Sequence, residues 1–178
     1  FTLISCTVGL LFSVFYVYFG VRMKKREPLL FAAVCFLMFV TPLFPVIHCL
    51  WELPIFPWYA LELFCIYLMM FLVIILHNRI CDAGYYCRRI SAALSAVFCL
   101  LAGCYGFFSE YLTVPVMQLF SRCLFVYKLA FAAYLLMTAG TSLKRLNNAS
   151  KPLFFSTISF AGFFFWDRLF SSFGPFLF

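Results

Sequence analysis

Long apolar runs separated by short polar turns dominate this sequence. The runs are continuous and last about 20 residues or more, the length that a helix needs to cross the hydrocarbon core of a bilayer. A membrane β-barrel would instead show strands of about 10 residues in which apolar and polar positions alternate. The pattern therefore predicts six membrane-spanning helices, at residues 1–21, 29–50, 58–76, 90–108, 113–140 and 153–173.

The last residues of the chain predict the start of one more helix. Gly174-Pro175 is a turn signal, and Phe176-Leu177-Phe178 opens another apolar run. We therefore expect residues 175–178 to begin a truncated seventh span. Because the chain also lacks an initiator Met, we expect it to be a fragment of a longer protein. The predicted fold class is all-α: residues 1–178 form a single domain, a polytopic membrane helical bundle.

Two prolines lie inside the second predicted span. Pro42 and Pro45 each remove a backbone N–H donor, and their rings clash with the preceding turn of the helix. The carbonyl groups freed in this way must find partners inside the protein, because lipid offers none. We therefore predict a helix kink at Pro42 and Pro45.

Composition excludes an ordinary water-soluble domain. Hydrophobic residues make up 66% of the chain and charged residues 11%, whereas soluble domains contain roughly 45–50% and 25%. A net charge of +7 could indicate nucleic-acid binding. The basic residues, however, sit in short turns between apolar runs and do not cover one face, so we expect no nucleic-acid partner.

The distribution of basic residues predicts the orientation of the bundle. Ten of the 13 Lys and Arg residues follow the first, third and fifth spans: Arg22, Lys24, Lys25, Arg26, Arg79, Arg88, Arg89, Lys144, Arg145 and Lys151. Positively charged loops remain in the cytoplasm during membrane insertion, so these turns are predicted to be cytoplasmic and the N-terminus outside. The predicted location is the cell membrane (plasma or inner membrane), with a multi-pass topology.

Charged residues within the spans are the strongest candidates for function, because each is costly in lipid. At a rise of about 1.5 Å per residue, Glu62, Arg122, Asp167 and Arg168 could share the outer half of one bundle. We predict an intramembrane polar cluster of these four residues, with Arg122 paired to Asp167 or Glu62. The pair either fixes helix register or takes part in ligand binding or switching. Lys128 has no acidic residue at its depth, and the sequence assigns it no role.

The sequence predicts no enzyme. It contains no HExxH, P-loop, GxSxG or glycine-rich dinucleotide motif. His48 and His77 are predicted on opposite sides of the membrane and cannot share a metal ion. Cys81 and Cys87 flank a predicted cytoplasmic turn, but their spacing does not match a zinc site. We therefore predict no catalytic residue, no cofactor and no metal.

Small residues on the fourth span allow close approach of a second helix. Ala92 and Ala96 are four residues apart, as are Ala102 and Gly106, so each pair shares one helix face. We expect this face to serve packing within the bundle. A homodimer is the alternative use of the same surface.

Several short segments together resemble a known family. Arg26-Glu27-Pro28-Leu29-Leu30-Phe31 joins a basic turn to the second span, Ala60-Leu61-Glu62-Leu63 places an acid at the opening of the third, and Asp167-Arg168-Leu169 follows Ala161-Gly162 in the sixth. With these features, the chain resembles the membrane domain of the bacterial seven-transmembrane receptors with diverse intracellular signalling modules.

This resemblance implies a function for the chain and further domains beyond it. It implies an extracytoplasmic sensor domain before residue 1 and a cytoplasmic output module, such as a histidine kinase or a cyclic-dinucleotide synthase, after the last helix. The predicted function is a transmembrane sensory domain that couples an extracytoplasmic signal to that output. The predicted partners are the lipid bilayer and these two domains of the same chain.

Other functions remain open from the sequence. The main alternative is the membrane domain of a small-molecule or ion transporter, in which the intramembrane charges would line a path. A membrane-embedded enzyme ranks lower, because no set of nucleophile or metal ligands is visible in the spans.

Overall fold

The structure of the chain is a computed structural model that describes residues 2–51 and 55–144. These residues form five α-helices: α1 (Thr2–Met23), α2 (Arg26–Trp51), α3 (Ile55–Ile80), α4 (Tyr85–Phe108) and α5 (Val114–Lys144). A short 3-10 turn, Ser109–Tyr111, separates α4 from α5. The all-α prediction is confirmed for this part of the chain. The predicted sixth span, the start of a seventh, Asp167 and Arg168 lie outside the described residues.

Four of the helices are long and apolar enough to cross a membrane. The segments concerned are Cys6–Met23, Phe56–Ile80, Tyr85–Phe108 and Val114–Thr141. α1 exposes large apolar side chains along its length, including Leu11 and Val14. A surface of this kind is rare on a protein in water, because contiguous exposed apolar area promotes association. The chain is therefore assigned as a multi-pass membrane protein whose apolar helices contact lipid.

The helices extend beyond the apolar runs at their polar ends. α3 continues to Ile80 where the hydropathy pattern ends at Leu76, and α4 begins at Tyr85 where the pattern begins at Ile90. Charged residues are compatible with a helix once it leaves the hydrocarbon core. Hydropathy therefore locates the part of each helix that lies in lipid, whereas turn geometry decides where the helix ends.

Residues with positive φ end both helices that precede a basic turn. Lys24 (φ 52°) follows α1, and Asp82 (φ 47°) follows α3. After α3, the N–H of Ala83 donates to the carbonyl of Asn78 at 3.1 Å, which is the long hydrogen bond of a Schellman motif. These caps reverse the direction of the chain within a few residues. As a result, α1 and α2 form one tight helical hairpin, and α3 and α4 form a second.

The chain divides into two compact units, residues 1–127 and 128–178. In the first unit, α1 packs against α2, α2 against α3 and α3 against α4. The first part of α5 also belongs to this unit. There, the ring of Phe120 stacks on that of Tyr105 in α4, with 5.6 Å between ring centroids.

Only the last part of α5 is described in the second unit. Its buried residues recur at steps of three, one, three and four residues, at Lys128, Phe131, Ala132, Leu135 and Ala139. This spacing is typical of one buried helix face. On the same helix the hydroxyl of Thr138 donates to the carbonyl of Tyr134 at 2.8 Å, so this polar group is satisfied within its own helix.

Close backbone contacts join the two helices within each hairpin. A Cβ atom on Gly106 of α4 would lie 2.9 Å from Cα of Ala60 in α3, and one on Gly9 of α1 would lie 3.2 Å from the carbonyl oxygen of Cys35 in α2. Ala102 is fully buried one turn before Gly106. The small residues of α4 at Ala102 and Gly106 thus serve packing within the chain.

The prolines have different effects in α2 and α3. Helical backbone continues on both sides of Pro42 and Pro45, which lie within α2, and the kink there stays a prediction. In α3, Phe56 has non-helical angles (φ −92°, ψ 136°). Phe56 precedes Pro57, whose ring excludes the helical conformation from the preceding residue. The regular part of α3 therefore begins at Pro57, close to the predicted start at Trp58.

We predict that Gly106→Ala loosens the α3–α4 hairpin. The added methyl group would lie 2.9 Å from Cα of Ala60 and 3.0 Å from its Cβ, so the two backbones must separate. The free energy of unfolding in detergent should fall by about 1–3 kcal/mol. Gly84→Ala is the matched control, because its Cβ would meet nothing within 4 Å. Equal losses in the two variants would contradict this account of the contact.

Candidate functional site

The structure describes two members of the predicted intramembrane cluster. Glu62 lies on α3 and is partly buried, whereas Arg122 lies on α5 with its side chain exposed. Within the described residues these two side chains do not form an ion pair. Asp167 and Arg168, the other predicted members, lie outside the described residues. The cluster, and the pairing of Arg122 with Asp167 or Glu62, therefore stay predictions.

A different polar contact lies in the interior of the first unit. The hydroxyl groups of Ser95 in α4 and Tyr127 in α5 are 2.6 Å apart, and either can donate. Ser95 is 1% exposed and Tyr127 is 4% exposed. A hydrogen bond in such a dry place is strong, because no water competes for either group.

Two aromatic rings pack against the ring of Tyr127. The ring of Phe98 stacks on that of Tyr127 with centroids 4.2 Å apart, and the ring of Tyr67 stacks at 5.9 Å. The hydroxyl of Tyr67 donates to the carbonyl of Leu124 at 3.4 Å. Together Tyr67, Ser95, Phe98 and Tyr127, the interior tyrosine cluster, join α3, α4 and the first part of α5.

The interior of the described bundle leaves no polar side chain unsatisfied. Among the described residues, no buried side-chain nitrogen or oxygen lacks a hydrogen-bond partner. Lys128, the charged residue without a predicted partner, is buried at 8% exposure in the second unit and interacts with neighbouring groups. The buried polar groups of the described bundle therefore contribute to packing.

Most of the charged residues of the first unit lie at one end of the helices, and Glu62, Glu110 and Arg122 are the exceptions among the described residues. The two hairpin turns, after α1 and after α3, lie at the same end because Arg79 at the end of α3 contacts Glu27 at the start of α2. The distance from Arg79 Nη1 to Glu27 Oε1 is 3.7 Å. The hairpin geometry therefore brings basic residues that are far apart in sequence to one region, which we call the basic end.

A cavity of about 670 Å³ opens at the basic end. The ends of three helices and the turn after α3 line it, with the residues Glu27, Ile75, Asn78, Arg79, Asp82, Arg88, Arg89 and Ala92. We call it the basic-end pocket. Three arginines and two carboxylates line it, so positive charge is in excess.

Polar contacts fix the wall between α3 and α4. The side-chain amide of Asn78 donates to the hydroxyl of Ser91 at 2.8 Å, and that hydroxyl donates to the carbonyl of Arg88 at 3.3 Å. Asn78 is 1% exposed. This pair holds the second turn of α4 against the last turn of α3, and so sets the spacing of the arginines that line the pocket.

The two arginines at the start of α4 occupy an electrostatically unfavourable position. Arg88 and Arg89 lie in the first turns of α4, where the positive end of the helix dipole repels cations. The guanidinium of Arg89 lies 4.6 Å from the ring centroid of Tyr85, a cation–π contact. Glu27 contacts Arg79 but no carboxylate in the described residues forms an ion pair with Arg88. The pocket thus has the charge and donors to hold an anion.

Two thiols near the pocket differ in their surroundings. Cys81 Sγ lies 3.4 Å from His77 Nε2, and both residues are buried. Cys87, on the first turn of α4, is exposed. Among residues 2–51 and 55–144, no group of three or more His, Cys, Asp and Glu side chains is arranged to hold a metal ion.

Sequence reasoning identified the components of these sites but not their convergence. Arg79, Arg88 and Arg89 were assigned to topology, and Glu27 appeared in the segment that carries the family resemblance. The hairpin rule, in which successive turns on one side of a membrane are neighbours, was the signal for the pocket. The interior tyrosine cluster had no such signal, because its tyrosines do not stand out among 10 in the chain.

Comparison of the chain with models of protein families, with curated proteins and with solved structures found no match.

We predict that the Ser95–Tyr127 hydrogen bond stabilises the first unit. Tyr127→Phe leaves the buried Ser95 hydroxyl without this partner, which should lower the free energy of unfolding by about 1–3 kcal/mol. The double variant Ser95→Ala/Tyr127→Phe should lose less than the sum of the single variants, because they remove the same bond. Tyr111→Phe, at a tyrosine that is 82% exposed, is the control and should change little. Additive losses in the cycle would show that the two hydroxyls do not interact.

Proposed function

We propose that this chain is the transmembrane sensory domain of a bacterial-type receptor, which couples an extracytoplasmic signal to a cytoplasmic output module. The observation that carries the proposal is the closed interior of the first unit. At its centre, Tyr67, Ser95 and Tyr127 make hydrogen bonds within the protein. A bundle of this kind can transmit a change of packing from one side to the other without opening a path for a solute.

The continuity of the described helices counts against the transporter alternative. Secondary transporters bind their substrates near the middle of the membrane, at discontinuous helices whose unwound backbone faces a cavity. In the described residues, the helical backbone of α4 and α5 is continuous, and α3 departs from helix only at Phe56 near its start. The described cavity at the basic end lies away from the middle of the helices.

The proposal includes six membrane spans, the start of a seventh and an N-terminus outside the cell membrane. The charge distribution of the first unit supports it. Seven basic residues lie at the basic end: Arg22, Lys24, Lys25, Arg26, Arg79, Arg88 and Arg89. The described residues at the other end of α1–α4, up to the start of α5, contain no Lys or Arg. The positive-inside rule then assigns the basic end to the cytoplasm.

This orientation predicts the accessibility of Cys87. Its thiol is exposed at the start of α4, so a membrane-impermeant maleimide should label it in inverted membrane vesicles but not in right-side-out vesicles. The variant Cys87→Ser keeps the other thiols, so the labelling that it loses is the labelling of Cys87. Tyr111→Cys, at the opposite end of α4, should show the reverse pattern. Labelling of Cys87 from the outside would overturn the proposed orientation.

Signalling requires two packings of the bundle with similar free energies. A contact that stabilises one packing by about 1.4 kcal/mol changes their ratio about tenfold. The interior tyrosine cluster joins α3, α4 and α5, so it is one contact of this kind. The predicted Arg122–Asp167–Glu62 cluster and the kink at Pro42 and Pro45 are the other elements that we propose to move.

We expect Tyr127→Phe to change the basal output of the full-length protein about tenfold, since a lost hydrogen bond of this size shifts the population of the two packings. The output is measured in membrane preparations as phosphoryl transfer from labelled ATP to the protein and as cyclic-dinucleotide formation from GTP. Tyr111→Phe makes the same chemical change at an exposed position and should leave the output unchanged.

A parallel measurement tests the transporter. Labelled Na⁺, amino acids and sugars are added outside liposomes that contain the full-length protein, and the accumulation of label inside the liposomes is followed over time. Uptake that needs the protein, together with an output that does not respond to Tyr127→Phe, would overturn the receptor proposal. An altered output without uptake would support it.

A further inference from the structure

We infer that the basic-end pocket binds the phosphate group of an anionic membrane lipid. The first argument is its charge. Arg79, Arg88 and Arg89 line one cavity with Glu27 and Asp82, and Glu27 already contacts Arg79. The remaining positive charge is concentrated on α4, where the helix dipole adds to it. An anion in the pocket would therefore relieve repulsion that the fold itself creates.

The type of donor favours a phosphate. Arginine presents a planar fork of N–H groups that matches two oxygens of a phosphate and loses little hydration when it binds. The side chain of Arg88 has no carboxylate partner among the described residues, and the guanidinium of Arg89 lies over the face of the Tyr85 ring. Both guanidinium groups therefore keep donors that a ligand can use.

The position of the pocket favours a lipid as the source of the phosphate. The candidate membrane segments of α3 and α4 end at Ile80 and begin at Tyr85, so the pocket lies at the level of the lipid headgroups. Tyr85 and Tyr86 are exposed beside it, as is typical of aromatic side chains at a membrane interface. Anionic lipids are a common source of phosphate at this depth, and basic pockets between helix ends bind their headgroups.

The surface of α4 provides a path for the acyl chains. Ala93 and Leu100 are exposed, and they follow Arg89 at steps of four and seven residues. At about 100° per residue, these steps place all three residues on one face of the helix. A lipid with its phosphate on Arg89 can therefore lay its chains along this face of α4.

This inference does not rest on the receptor proposal, because a lipid site at the basic end suits a transporter equally. The test uses the full-length protein in a neutral detergent. Its thermal unfolding midpoint is followed as dioctanoyl phosphatidylglycerol is added, and the apparent affinity is taken from the concentration dependence. Dioctanoyl phosphatidylcholine, whose choline offsets the phosphate charge, and inorganic phosphate are added in separate series.

We expect phosphatidylglycerol to raise the midpoint, with little effect from phosphatidylcholine or inorganic phosphate. Arg88→Gln and Arg89→Gln should each weaken the apparent affinity about tenfold, as the loss of a hydrogen bond to a charged group does. Lys25→Gln removes one charge from the same end of the unit but does not line the pocket, so its affinity should change less than about threefold. Each shift is measured from the variant's own lipid-free midpoint, so that a change in stability does not hide it.

Three results would overturn the inference. An equal shift with inorganic phosphate would assign the pocket to a soluble anion. An equal loss of affinity in Lys25→Gln and Arg88→Gln would reduce the effect to general surface charge. No shift with phosphatidylglycerol would leave the pocket without the proposed ligand.

Discussion

The hydrogen bond between Ser95 and Tyr127 illustrates the constraint on which the whole structure depends. A polar group in a bilayer has no water to bond, so every such group must find its partner inside the protein. The backbone meets this demand by forming helices throughout the described spans. The few polar side chains meet it by pairing, as Tyr67 does with the carbonyl of Leu124. The hydrogen bonds of Tyr67 and of Ser95 with Tyr127 each join two helices. The requirement that buried polar groups be hydrogen-bonded therefore also helps to set the arrangement of the helices.

The sequence predicted the described helices well, because the medium imposes one rule on long apolar runs. It located α1 and the end of α4 within two residues, as at Phe108. It missed the polar extensions of α3 and α4, because hydropathy reports where lipid ends and carries no information on the helix cap. The cap depends on a residue with positive φ at Asp82, and Asp is not the residue that usually signals such a turn.

The candidate sites could be predicted only in part, for a related reason. Charge within a span is visible in sequence, so Glu62, Arg122 and Lys128 were found, but helix rotation decides which of them meet. The pocket at the basic end depends on the ends of three helices and on the turn after α3. Its arginines all belong to the α3–α4 hairpin and were predicted on one side from the distribution of basic residues, whereas Glu27 joins them only through the packing of α2 against α3. The sequence therefore predicts the depth of a residue in the membrane better than it predicts which residues that residue contacts.

The contact between Glu27 and Arg79 has a consequence for how the protein is made. The chain leaves the ribosome N-terminus first, so the hairpin of α1 and α2 enters the membrane while the second hairpin is still being synthesised. Arg79 lies at the end of α3, two helix lengths after Glu27, so their contact can form only once α3 has been synthesised. Both side chains are partly exposed, so the ion pair stabilises the docked hairpins by at most about 1 kcal/mol. The first hairpin must therefore be stable in the membrane without this contact.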